Sequence, residues 1–154
     1  MIALRPSDGE RSVVEKVQLD VDGGVIGDNW SVRANRRTVD GRPDPRAQVT
    51  LMRSRVAALV GGADRWALSG DQLYVDLDIG EQNLPAGTRL AVGSAVIEVT
   101  DKPHKGCAKF RRYYGEDALR FVNSPTGRSL NLRGINAKVV ESGVVRAGDT
   151  IRKL

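Results

Sequence analysis

The stretch from Lys102 to Arg112 contains both the only cysteine and the only histidine of the chain, Cys107 and His104. It carries five cationic side chains and no acidic one. We expect it to leave a strand as a loop and to enter a helix after Cys107. A thiol among cations at a helix N-terminus is stabilised as a thiolate, which binds soft metals and attacks electrophilic sulfur. The pattern predicts a reactive or metal-ligating Cys107 beside an anion site; a buried structural cysteine is the equally weighted alternative.

Other common uses of cysteine and histidine fit this pattern less well. Zinc sites take several protein ligands, whereas the chain offers one cysteine and one histidine. His104 is a possible base for a nucleophilic Cys107, but such partners usually come from distant parts of the sequence. The glycine patterns of a P-loop, a Rossmann fingerprint and an EF-hand are missing.

Several polar glycine turns could add ligand contacts. Each by itself reads as a connection between strands, but together they supply the acceptors, amides and cations that a polar anionic ligand requires. Arg128 and Arg133, in the last of these turns, suit bidentate binding of a phosphate. The turns are Gly27-Asp28-Asn29-Trp30, Gly70-Asp71-Gln72, Gly80-Glu81-Gln82-Asn83-Leu84 and the segment 127–134.

The elements that must position these residues are mostly short strands. Segments rich in β-branched residues alternate apolar and polar positions, which is the period of a half-buried strand, and glycine turns separate them. This arrangement favours a barrel over a sheet built from βαβ units. The predicted strands are 13–21, 48–51, 72–77, 95–100 and 137–141, followed by short strands up to Ile151.

Two segments are predicted to be helical. Arg53 to Leu59 has helical spacing of its apolar residues and stops before Gly61-Gly62. Cys107 to Val122 is predicted as two helical pieces separated near Gly115, the second beginning with acidic residues that suit a helix N-terminus. The stretch Thr38 to Arg46, with two prolines, is predicted to be a surface loop. The fold class is therefore mainly β, like a barrel, with a few peripheral helices.

Length and charge limit the possible functions. The 154 residues fit a single domain, 1–154, with its core over about 13–151. The net charge of +5 arises entirely after residue 77, since the first half holds as many acids as bases. A basic chain suggests a polyanionic partner such as nucleic acid, but only 5% of the residues are aromatic, which disfavours single-strand binding.

The apolar runs, the first residues and the cysteine count indicate where the protein is located. The apolar runs are too short to cross a bilayer, and the first residues lack the apolar segment of a secretory signal. One cysteine excludes an internal disulfide. We expect a cytoplasmic protein that has no contact with a membrane.

The order of these motifs resembles the MOSC domain, a module named from the C-terminal part of molybdenum cofactor sulfurases. The likeness extends from about Val13 to Ile151 and is greatest to the short, stand-alone bacterial members. The motifs that carry it are Gly27-Asp28, Gln48-Val49-Thr50-Leu51, Gly80-Glu81-Gln82-Asn83-Leu84, the segment 90–100, the cysteine loop 103–110, and the segments 132–140 and 143–151.

The resemblance implies a barrel similar to the pyruvate-kinase barrel domain, and a molybdenum–pterin cofactor whose metal is bound by Cys107. Some family members reduce N-hydroxylated compounds at that metal; others are proposed to carry sulfur as a cysteine persulfide. The partners implied are a small-molecule substrate and a separate electron-donor protein or cysteine desulfurase. An enzyme is favoured, pyridoxal phosphate is not expected, and a nucleic-acid-binding barrel is the least favoured alternative.

The resemblance also implies roles for individual side chains. The cations expected at the cofactor's phosphate and pterin edge are Lys102, Lys105, Arg128 and Arg133, and Asp28 and Asn83 are expected to be polar wall residues. Two departures concern the site. Asn29-Trp30 follow the Gly-Asp pair where many relatives have arginine or histidine, and Gly106 precedes the cysteine where many have proline.

Overall fold

The computed structural model describes residues 1–33 and 40–154. Part of the loop predicted over Thr38 to Arg46 lies outside them. The described part of that loop contains neither strand nor α-helix before a short 3-10 helix begins at Pro45.

Strands dominate the described residues, as predicted. The eleven strands are β1 (Ile2–Leu4), β2 (Ser12–Val14), β3 (Lys16–Asp20), β4 (Gly24–Val25), β5 (Val49–Arg53), β6 (Leu73–Val75), β7 (Arg89–Val92), β8 (Ala95–Val99), β9 (Ile135–Glu141), β10 (Gly143–Arg146) and β11 (Ile151–Lys153). The helices are α1 (Ser54–Gly61), α2 (Ala108–Asn123) and α3 (Pro125–Ser129), with 3-10 helices at Asn29–Val32, Pro45–Ala47 and Trp66–Ser69.

The strands form a curled half-barrel. An eight-stranded sheet has the order β11-β7-β8-β9-β5-β6-β1-β2, and a three-stranded sheet has the order β10-β3-β4. Neighbouring strands in the described residues are antiparallel except β5 and β6. A parallel pair needs a crossover, which α1 and the 3-10 helix Trp66–Ser69 provide on the outer face of the sheet.

The core lies inside the curl of the sheet. Alternate residues of the strands point into it, including the fully buried Leu19, Leu51 and Ile97. A second apolar cluster on the outer face packs beneath the helices, with Met52 and Tyr74 from the sheet and Phe110 from α2. This second layer fixes the helices, and therefore the loop that precedes α2, against the sheet.

One predicted element differs from the structure, and another is confirmed in detail. The single strand predicted over 13–21 is wrong: it breaks at Glu15 into β2 and β3, which belong to different sheets. The prediction of two helical pieces is confirmed, because Gly115 interrupts α2 with a φ of 89°. Such a left-handed φ favours glycine, which lacks the Cβ that would clash.

Candidate functional site

Cys107 lies at the N-cap position of α2, where the chain turns from the loop after β8 into the helix. Its side chain is exposed and makes no capping hydrogen bond. Exposure contradicts the alternative of a buried structural cysteine. The thiol is therefore open to a ligand or a partner from solvent.

The residue before it is fixed by α2 itself. The backbone N–H of Gly106 donates to Oδ1 of Asn123 over 2.9 Å, and Nδ2 of Asn123 donates back to the Gly106 carbonyl over 3.0 Å. A Cβ on Gly106 would lie 2.8 Å from Cδ1 of Leu119 and 3.0 Å from Cγ2 of Val122. Glycine at this position thus lets the cysteine loop press against the second half of α2.

His104 is enclosed on the other side of the same loop. Its side chain is 16% exposed, and its Nδ1 lies 3.5 Å from Oδ1 of Asp71 without making a hydrogen bond. A Cβ on Gly134 would lie 3.1 Å from that Nδ1, so glycine is needed there as well. Burial, together with the positive charge of Arg133, lowers the pKa of His104 to about 3. The imidazole is therefore neutral near pH 7.

Asp71 and Arg133 form a buried ion pair behind the histidine. Nη1 of Arg133 donates to Oδ2 of Asp71 over 2.7 Å, and Nη2 donates to the Ser69 carbonyl over 2.8 Å. The Ser69 hydroxyl donates to the same Asp71 oxygen over 2.7 Å. Burial alone would raise the pKa of Asp71, but Arg133 and Ser69 hold it below its usual value. The guanidinium also lies 5.0 Å from the ring centroid of Phe110.

Asp28 joins this cluster through Arg5. The carboxylate caps the 3-10 helix Asn29–Val32 by accepting from the Trp30 N–H, and it accepts from Nε and Nη2 of Arg5 over 2.9 and 2.8 Å. Nη1 of Arg5 donates to the Gly70 carbonyl over 3.0 Å, next to Asp71. The turns at Gly27-Asp28 and Gly70-Asp71 therefore meet beside the histidine of the cysteine loop.

The four cations predicted at a phosphate fall into two pairs. Lys102 and Arg133 are bound to carboxylates; Nζ of Lys102 lies 3.0 Å from Oδ2 of Asp44. Lys105 and Arg128 are exposed and make no side-chain hydrogen bond or ion pair among residues 1–33 and 40–154. Only the second pair is free to bind an anion.

The surroundings of Asn83 differ from those of Asp28. Its Nδ2 donates to the Asp78 carbonyl over 2.6 Å. It lines a cavity of about 330 Å³ with Gly80, Glu81, Ser129 and residues near them. The predicted wall role of Asn83 stays a prediction, as do the roles of the other predicted cofactor residues.

Glu81 also borders a second cavity, of about 220 Å³, which we call the histidine cavity. It extends from the loop 84–86 to the start of β9 and has His104 in its wall. Its polar lining residues are Glu81, Thr100, Asp101, Lys102, His104, Asn131 and Asn136.

The sequence reasoning missed Arg5 and Ser69. Arg5 follows a strand of three residues, and nothing nearby in sequence indicates the carboxylate that it binds. Asp71 was recognised only as part of a polar turn. Its burial, and its pairing with an arginine far along the chain, become visible only in three dimensions.

Comparison with known proteins identifies the family. The sequence model of the MOSC domain matches residues 68–152, more than half of the chain, and the chain belongs to the MOSC domain family. MOSC domains are associated with binding of the molybdenum cofactor. A comparison with curated protein sequences gives no match.

Solved structures share the fold. YuaD from Bacillus subtilis is 17% identical with a TM-score of 0.62, the match covering 97% of this chain and 91% of that one. YiiM from Escherichia coli is 18% identical with a TM-score of 0.63, covering 99% and 67%. YiiM from Geobacillus stearothermophilus is 15% identical with a TM-score of 0.62, covering 99% and 72%. At these identities the likeness establishes the architecture. Among the described residues, no helix is long and apolar enough to span a membrane.

Proposed function

We propose that this protein binds the molybdenum cofactor through Cys107 and reduces N-hydroxylated compounds. The observation that carries the proposal is the position of Cys107, which is exposed and free of capping bonds at the end of a loop held by Asn123. A soft sulfur ligand presented in this way needs no rearrangement of the protein before it binds.

The donor set fits a cofactor that brings its own ligands. Among residues 1–33 and 40–154, no group of three histidine, cysteine, aspartate or glutamate side chains could hold a bare metal ion. Molybdenum in its pterin cofactor already carries the two sulfur atoms of the pterin. One cysteine is then a sufficient protein ligand, and the chain supplies one.

In this proposal, the free cations Lys105 and Arg128 bind the phosphate of the pterin. Lys105 is two residues from Cys107, and Arg128 lies in α3, directly after the helix whose Asn123 fixes the cysteine loop. Both are exposed and unpaired within the described chain. Lys102 and Arg133, which are bound to carboxylates, act in this proposal by positioning the loops, and Asp28 does so through Arg5.

The reaction needs electrons from outside this domain. The bound cofactor supplies two-electron chemistry, and the overall change is R–NHOH + 2 e⁻ + 2 H⁺ → R–NH₂ + H₂O. A separate electron-donor protein restores the electrons. Lys105 and Arg112, the exposed cations near Cys107 that have no acidic partner in the described chain, favour a donor with an acidic surface.

A sulfur carrier is the second candidate, and the exposure of Cys107 favours it as well. A cysteine desulfurase persulfide would pass its outer sulfur to the Cys107 thiolate, leaving Cys107 as a persulfide and the desulfurase cysteine as a thiol. This reaction requires access for a protein partner and no metal.

The experiment that separates the two candidates compares the wild type with Cys107→Ser. Both proteins are purified without oxygen from a host that makes the cofactor, and molybdenum is measured by plasma mass spectrometry. Near-stoichiometric metal in the wild type alone supports the molybdenum proposal. Metal-free protein from a host whose other molybdoenzymes are loaded contradicts it. Incubation with a cysteine desulfurase then tests the carrier, which predicts a mass gain of about 32 Da, one sulfur atom, on the wild type alone.

A further inference from the structure

The loop between β1 and β2 brings a carboxylate onto the start of α2. Asp8, in that loop, accepts a hydrogen bond from Nζ of Lys109, which lies in the first turn of α2. The two residues are 101 positions apart in sequence, and the Asp8 side chain is 86% exposed. An ion pair as exposed as this one contributes little to stability. Its carboxylate can therefore be replaced by an anion from solvent at small cost.

Two arginines act on the same carboxylate. The hydrogen bond from Lys109, and the positive charges of that lysine, Arg11 and Arg33, hold the pKa of Asp8 below its usual value. Charges at a protein surface act on one another only over short distances, because salt screens them. The Asp8 carboxylate therefore marks the place at which three positive charges converge, and we call this place the Asp8 site.

Both arginines retain free donors. Nε and Nη1 of Arg11 donate to the carbonyls of Ala67 and Glu10, whereas its Nη2 has no hydrogen-bond partner in the described chain. The Arg33 side chain makes no hydrogen bond or ion pair among residues 1–33 and 40–154. The Glu10 carboxylate accepts from the Ser7 hydroxyl over 2.6 Å and forms no ion pair with a described residue. One arginine is thus held in place with a donor to spare, and the other is unbound.

The local charge stays positive with Asp8 in place. Arg5, which lies behind Arg33, is already paired with Asp28. Partial burial and the positive charge of Arg5 lower the pKa of Arg33, although Asp28 and Asp8 act in the opposite direction. Asp8 balances only one of the three charges that meet at its carboxylate. A ligand with more negative charge than a carboxylate would therefore fit the site better.

We propose that Arg11, Arg33 and Lys109 bind a doubly charged oxyanion, a phosphate group, at the place that the Asp8 carboxylate occupies. A phosphate dianion carries twice the charge of a carboxylate. Its three oxygens can accept from the lysine ammonium and from the free N–H groups of the two arginines. Asp8 is then an internal substitute, which the ligand displaces.

The Asp8 site is separate from the site proposed at the thiol. Lys109 is two positions after Cys107, and residues two apart on a helix do not face each other. In the proposed function, other cations, Lys105 and Arg128, bind the pterin phosphate. Binding of phosphate at the Asp8 site therefore needs neither the thiol nor a metal.

Inorganic phosphate is the probe. Protein labelled with ¹⁵N, from a host that does not make the molybdenum cofactor, is titrated at constant ionic strength and above the second pKa of phosphate, about 6. The backbone amide signals of Asp8 and Lys109 are followed by ¹H–¹⁵N NMR. We expect both to shift saturably at millimolar phosphate. Acetate, with a single negative charge, should need about tenfold higher concentrations.

Asp8→Asn and Asp22→Asn are matched variants, since each removes one exposed aspartate charge but only Asp8 is bound to Lys109. We expect Asp8→Asn to bind phosphate about threefold more tightly, because the ligand no longer has to break an exposed ion pair. Asp22→Asn should bind phosphate as the wild type does, because net charge alone does not select this site.

Arg33→Gln and Arg128→Gln form the second matched pair, since each removes an exposed arginine without a partner in the described chain. The first should weaken phosphate binding about tenfold, the loss of one charge-assisted hydrogen bond, and the second should leave it unchanged. The proposal is overturned if no saturable shift occurs, if acetate binds equally well, or if either matched pair shows equal effects. Because the thiol and a metal take no part, such a failure leaves the molybdenum proposal standing.

Discussion

Removing Arg133 tests whether the buried ion pair supports the cysteine loop. Arg133→Leu leaves a similar apolar volume but strands the Asp71 carboxylate, which is 1% exposed and would keep only the Ser69 hydroxyl. Breaking a buried pair in this way costs about 3–5 kcal/mol. For a chain of this length, that corresponds to a melting temperature lowered by roughly 6–20 °C.

The assay is urea unfolding followed by tryptophan fluorescence, with Arg128→Leu as the matched control. Arg128 is exposed and unpaired in the described chain, so its loss should change the free energy of unfolding by less than about 0.5 kcal/mol. Asp71→Asn combined with Arg133→Leu should recover part of the loss, because no charge is then left buried.

The pH dependence gives a second check on the same pair. The pKa of Asp71 is lowered in the folded protein, so its contribution is present above its unfolded value of about 3.9 and is lost as the pH falls below that value. In Arg133→Leu the carboxyl becomes easier to protonate, and the deficit relative to the wild type should shrink in acid. A deficit equal to that of Arg128→Leu, or one that grows in acid, would refute the reasoning.

Three further predictions concern the loop and its surroundings. Gly106→Ala should lower the free energy of unfolding in urea by about 1–3 kcal/mol, because its Cβ would press on Leu119 and Val122. Labelling of the Cys107 thiol should become faster as the loop loosens. Unchanged stability and labelling would contradict this packing. The pKa of His104 is lowered to about 3 in the folded protein. The wild type should therefore lose stability as the pH falls from about 6.5 toward 3, by up to about 1.4 kcal/mol per pH unit. His104→Gln should flatten that slope in thermal melts. Arg5→Met should destabilise the protein by about 3 kcal/mol in urea unfolding, because the buried Asp28 would lose its ion-pair partner. A loss below about 1 kcal/mol would show that Asp28 does not need Arg5.

Sequence reasoning reached most of the fold because the signals were local. Alternation marked the central strands, such as Ala95–Val99, and Gly115 marked the break in α2. The break between β2 and β3 escaped it because the apolar alternation continues through Glu15, and only pairing with different neighbours separates the two strands.

The site was predicted only where its residues lie close together in sequence. Cys107 and its loop follow from residue types and from the helix that begins after them. The ion pairs of Lys102 and Arg133 could not be predicted from the sequence, because their partners Asp44 and Asp71 lie about 60 positions away. A cation that stabilises a buried carboxylate and a cation that binds a ligand look the same in a sequence. Burial and partner distance distinguish them.

The way the cluster behind His104 is distributed along the chain determines when the site can exist during synthesis. Its members come from residues 5, 28, 71, 104 and 133, and β9, which follows Arg133, pairs with both β5 and β8 near the middle of the large sheet. A nascent chain that has just left the ribosome with Cys107 still lacks Arg133 and β9. Its thiol is therefore carried on a loop with no support, and the ordered loop appears only after Arg133 and β9 have emerged and formed their long-range contacts. A ligand that requires the ordered loop can bind Cys107 only after that point.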